Sequence, residues 1–131
     1  MDKQLVVNEW LKYSDKDLLA INQLLTHRPL AIEIICYLCQ QSAEKALKAF
    51  WLHLETEPPK THNLNFLNEK CVEFDTSFEE IVKQCERLNH YSNQPRYPSP
   101  IDISEEMMNL AVKDATAISD FVKAKLSQGE K

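Results

Sequence analysis

The chain has 131 residues, 44% hydrophobic and 27% charged, with a net charge of −5. That suits one globular domain over residues 1–131 and excludes whole-molecule attraction to nucleic acid, so no DNA binding is expected. A single glycine argues against sheet-rich folds with tight turns and against a Gly-rich phosphate loop.

The first helix is predicted over about residues 3–25, where Leu5, Val6, Trp10, Tyr13, Asp17, Leu18, Ile21 and Leu25 recur at steps of three and four. "THRPL" interrupts it, because Pro29 disfavours a helical Arg28 and suits a helix start. The second helix runs from about 29 to 54 and is apolar nearly all round in its first half, so it should be buried on most sides. Pro58 and Pro59 fix the connector "ETEPPKTHNL". Thr61 or Asn63 then caps a third helix over about 63–72. Asp75, Thr76 or Ser77 starts a fourth, continuing to about Tyr91. "SNQPRYPSPID" carries three prolines in six residues and reads as an ordered or extended loop. Ser104 opens the last helix, to about Leu126, with a stripe of Met107 or Met108, Ala111, Ala115, Ile118 and Val122. The tail "SQGEK" is expected to fray. The pattern is all-α: an up-and-down helical bundle of about five helices.

No apolar run approaches the roughly 20 residues of a membrane span. The opening "MDKQLVVNEW" lacks a basic region followed by an apolar core. The expected location is cytoplasmic. Cys36 and Cys39 make a C-x-x-C, a spacing used by zinc and redox sites. It lies inside an apolar helical run, and no second pair follows. With Cys71 and Cys85 in or beside other helices, all four read as small buried hydrophobes, reduced in the cytoplasm. There is no H-x-x-x-H, H-E-x-x-H or serine-nucleophile motif, so neither metal nor cofactor is expected.

Three stretches carry chemistry. On the second helix, Tyr37, Gln41, Glu44 and Lys48 follow steps of four, three and four and share one face, flanked by Gln40 and Lys45. Glu44 precedes Lys48 by four residues, the favourable order for an ion pair worth roughly 0.2–0.5 kcal/mol. Spacing leaves two readings open: a solvated face of a core helix, or a strip facing a partner subunit or a phosphate-bearing ligand. In "PPKTHNL", Lys60, Thr61 and His62 stand just before a helix start, where unpaired N–H groups attract anions. Alternatively, Thr61 caps and His62 bonds to a neighbouring helix. In "NQPRYP", Arg96 and Tyr97 are held between Pro95 and Pro98, which suits phosphate contact or base stacking, or pins the loop to the bundle. His27 and His53 fall near helix ends, and His90 lies three residues after Arg87.

Together, "CYLCQQSAEKALKAFW", "PPKTHNL" and "YSNQPRYP" resemble the HEPN domain family of prokaryotes. The likeness runs from Trp10 to the last helix and is most specific from about Cys36 to Leu64. It implies a bundle that commonly forms a homodimer and binds nucleotide. It also implies a minimal nucleotidyltransferase as gene neighbour and partner, the two acting as a toxin–antitoxin system. By likeness, Gln41, Glu44, Lys45 and Lys48 form a partner or ligand face. Lys60, His62, Arg96 and Tyr97 become nucleotide or phosphate contacts. Ribonuclease members of the wider superfamily carry an Arg followed, after four to six residues, by a His. Here Arg28 has no histidine until His53, Arg87 reaches His90 after only two residues, and Arg96 has none after it. Lys83 stands at the right distance from His90 but lacks the planar fork of arginine. The expectation is a binding module. The alternative is a metal-independent endoribonuclease with His90 as general acid or base.

Overall fold

The computed structural model describes residues 2–92 and 102–128. Five α-helices follow in order: α1 Lys3–Leu24, α2 Ile32–His53, α3 Leu64–Phe74, α4 Val82–Leu88 and α5 Glu105–Gln128. Two 3₁₀ segments, Thr76–Ile81 and Asn89–Tyr91, flank α4. Among the described residues there is no strand, and the molecule is the all-α helical bundle that the pattern predicts.

The centre is α2. Helices α1, α3 and α5 all pack on it, burying Ile35, Cys36, Cys39, Ala43, Leu47 and Phe50 around most of its circumference. It starts at Ile32 rather than Pro29. The turn before it is held by Arg28, whose Nη1 donates to the carbonyls of Leu25 and His27. On α1 the fully buried line is Val7, Ser14 and Ile21; of the predicted stripe, Trp10, Leu18, Ile21 and Leu25 pack in or against the core, while Leu5 and Tyr13 are exposed. The reason lies at the seam: Ser14 Oγ donates to Ser42 O at 2.8 Å, and Ser42 Oγ donates to Ser14 O at 3.1 Å. Two small hydroxyl side chains that satisfy each other allow the helices close approach, which a stripe centred on Tyr13 would prevent.

The end of α2 uses a left-handed residue without glycine. Thr56 N–H donates to Trp51 O at 3.0 Å and Glu55 N–H to Leu52 O at 2.9 Å, the paired bonds of a Schellman stop. Glu55 therefore sits at φ 62°, where a Cβ crowds the next carbonyl. Its ion pair with Lys3, at 3.6 Å and exposed, offsets little of that. Glu55→Gly is expected to stabilise by about 1 kcal/mol and to raise the thermal midpoint by roughly 2–6 °C. A scanning melt that shows no rise removes this account of the turn.

The fourth predicted helix is not continuous. Asp75 Oδ1 accepts from Ser77 N and Ser77 Oγ, and these bonds hold the Asp75 carboxyl below its usual range, with Lys125 adding to the effect. A 3₁₀ turn follows to Ile81. Asn68 Nδ2 donates to Phe78 O at 3.1 Å, the carbonyl that would serve Val82 N–H in an unbroken α-helix. Val82 N–H turns to Glu79 O instead. Phe78 is wedged between Phe50 and Phe121, with centroids 4.5 and 4.9 Å away, so packing fixes the break. Downstream, Arg87 of α4 grips Asp114 of α5 through two bonds of 2.8 Å.

Candidate functional site

The polar strip of α2 is not a solvated face. The connector after α2 returns along the helix, and His62 O accepts from Gln40 Nε2 at 2.8 Å. Under this strap Gln40, Glu44 and Lys48 are buried. Glu44 is the hub: Oε2 accepts from Lys48 Nζ at 3.0 Å, and Oε1 lies 2.9 Å from His62 Nδ1. Gln41 Nε2 donates to Gln40 Oε1 at 2.8 Å and reaches Glu44 Oε1 at 3.5 Å, a weak contact. Trp10 of α1 closes the other side, its ring 5.7 Å from Lys48 Nζ. Lys45 turns to α1 and pairs with Asp17 at 2.8 Å. Burial pushes the Asp17 carboxyl up, against the pull of Lys45. Tyr37 is half-buried on the same helix.

The chemistry of the hub fixes one proton. Glu44 faces an ammonium and accepts from its neighbours, so the proton shared with His62 belongs to the imidazole, and Nδ1–H donates. Nε2 is then the ring's remaining polar atom, on a side chain 68% exposed. A carboxylate-anchored imidazole whose second nitrogen has no partner among the described residues can donate to a phosphate oxygen when charged, or accept a proton when neutral.

The N-terminus of α3 is largely filled by the chain itself. Asn63 N–H donates to Thr61 Oγ1, Phe66 N–H to Asn63 Oδ1, and Leu64 N–H to Asn89 Oδ1 at 2.8 Å. Asn63 is the cap, as one of the two predicted candidates. The amides of Leu64 and Phe66 are thus committed, and the outward groups here are Lys60 and His62, both exposed. Asn89 also donates to Asn63 Oδ1 at 3.2 Å. His62 and His90 are each one residue from that contact, so the fold brings the K-T-H segment and exposed His90 to one junction. Sequence spacing carries no sign of this, nor of Asn89 as a cap.

Arg87, three residues before His90, is committed to Asp114. His27 bonds through Nδ1 to Gln23 O, in the last turn of α1, and His53 lies against the Phe50 ring. Arg96 and Tyr97 lie outside the described residues. All four cysteines are free and buried. Burial pushes the thiols of Cys36, Cys71 and Cys85 up to about 12, and that of Cys39 further. They stay protonated, as core atoms do. Among the described residues no group of three or more His, Cys, Asp or Glu is placed to hold a metal ion, and no helix is long and apolar enough to cross a membrane.

The sequence model of the HEPN domain matches residues 7–125. The crystal structure of an archaeal HEPN homologue superposes with a TM-score of 0.70 at 21% identity, covering 91% of this chain and 96% of that one. No curated protein matches the sequence.

Proposed function

The chain belongs to the HEPN domain family, and on that premise we propose that it is a binding module whose α2–α3 junction engages a nucleotide phosphate and a partner protein. The partner is a minimal nucleotidyltransferase, the two forming a toxin–antitoxin-like pair in the cytoplasm, with this chain a homodimer. The observation that carries the reading is the buried Glu44, which fixes His62 at the surface beside exposed Lys60. A phosphate meeting these two finds one imidazole already oriented, which donates from Nε2 in its charged form, and one mobile charge, so little ordering remains on binding. Gln41 and Lys45 border the same strip, while Lys48 acts from within by neutralising Glu44. Arg96 and Tyr97 add a planar fork and a stacking face to the nucleotide. No feature of this reading calls for bond cleavage.

Calorimetry with ATP and GTP, and co-expression with the adjacent reading frame followed by sizing, test it. Nucleotide binding weakened about tenfold by His62→Ala or Lys60→Ala, and co-elution with the nucleotidyltransferase, are expected. Separate elution at micromolar concentration together with no nucleotide binding overturns it.

A metal-independent endoribonuclease is the second reading. His62 and His90 each neighbour in sequence one partner of the Asn63–Asn89 contact, which brings two histidines to one junction, and attack by a ribose 2′-OH uses an acid and a base. The commitment of Arg87 to Asp114 weighs against it. RNA incubated with the protein in EDTA separates the two: intact RNA removes the nuclease, and cleavage abolished by His90→Ala establishes it.

A further inference from the structure

On the flank of the bundle, α3 and the 3₁₀–α4 segment enclose a groove of about 320 Å³. Glu69 on α3, Glu79 on the 3₁₀ turn and Glu86 on α4 line it, and among the described residues no basic side chain does. Asn65 and Asn68 contribute amides, and Val72 and Val82 an apolar surface. Asn68 is 2% exposed. Its Nδ2 is spent on Phe78 O, so its orientation is set, and its buried Oδ1 has no partner. Asn65 Oδ1 is likewise buried and unpartnered. Buried acceptors left without a donor are costly and rare. Among the described residues the lining is thus dominated by acceptors: three carboxylates, with two amide oxygens without a donor buried in the same wall.

The missing group must bring donors and positive charge. A compact metal ion does not suit, because no three acidic groups among the described residues converge on one point. The carboxylates come from three separate elements, two valines share the lining with them, and the volume is at the lower end of small-molecule sites. We propose that this groove binds an aliphatic polyamine: protonated amines reach the carboxylates and the Asn68 and Asn65 oxygens, and the methylenes cover Val72 and Val82. The site is separate from the α2–α3 junction and stands or falls without it.

Calorimetry of the full chain at constant ionic strength tests the assignment, with spermidine as probe, magnesium as a charge control, and pentalysine for the same ammonium groups presented by a peptide. Spermidine is expected to bind one to one, undisturbed by equimolar magnesium. A combined Glu69→Gln, Glu79→Gln and Glu86→Gln variant, all at exposed positions, should bind about tenfold or more weakly. Asn65→Ala should also weaken binding, at a site less buried than Asn68. The proposal is overturned by no spermidine binding at millimolar concentration, by displacement with equimolar magnesium, by unchanged affinity in the triple variant, or by binding of pentalysine alone.

Discussion

Arg87→Ala is expected to lose about 3 kcal/mol of unfolding free energy, and Asp114→Ala distinctly less. The asymmetry follows from burial. The Arg87 side chain is 43% exposed, while that of Asp114 is 4% exposed. Removing the guanidinium leaves a carboxylate that is 4% exposed without its paired charge. Removing the carboxylate leaves a guanidinium that swings into solvent and loses only its two bonds. The figure for Arg87 is taken at the low end for buried pairs, since water already reaches its outer edge. The loss is large because α4 has only seven residues, too few to hold helix on their own. Its hold on α5 comes from this pair and from Cys85 and Leu88. Urea titration of the two single variants and the double checks it. Arg87→Ala within about 1 kcal/mol of wild type, or Asp114→Ala the worse of the two, would sink the account.

How much of this was legible in the sequence varied with the range of the interaction. Four helices were readable because their apolar period and caps are local. Asn63 bonds Phe66 three residues on, and Met108, Ala111, Ala115, Ile118 and Val122 are the buried line of α5. The fourth run was placed as well, from Thr76 to Tyr91, but its 3₁₀ opening was not legible, because a distant residue intervenes there. Asn68 draws off the Phe78 carbonyl, and nothing in "DTSFEEIVKQ" reports that. The α1 stripe missed its centre for a similar reason, since Ser14 and Ser42 face each other across 28 positions, and nothing local shows that a serine rather than Tyr13 takes the buried face. In the candidate site, the Glu44–Lys48 pair was visible from its spacing. That it is buried was not, because the strap that covers it comes from His62 and its neighbours, and a connector's path leaves no periodic trace.

The same burial makes Glu44 the position from which stability and function can be separated. Glu44→Ala is expected to cost about 3–5 kcal/mol, because it strands Lys48, whose side chain is 8% exposed, as an unpaired interior ammonium. Glu44→Leu with Lys48→Met removes both charges and fills the space. Replacing a buried pair with hydrophobes of similar size is often neutral or stabilising, so the double variant should unfold within about 1 kcal/mol of wild type. It nevertheless deprives His62 of the acceptor at Oε1, and the freed imidazole turns into water at small cost, being already 68% exposed. If Glu44 serves the site by fixing that ring, the stable double variant binds nucleotide and partner as weakly as His62→Ala does. Wild-type binding in the double variant would reduce Glu44 to a core charge and detach His62 from it. A double variant as unstable as Glu44→Ala would mean that the stranded ammonium was not the source of the loss.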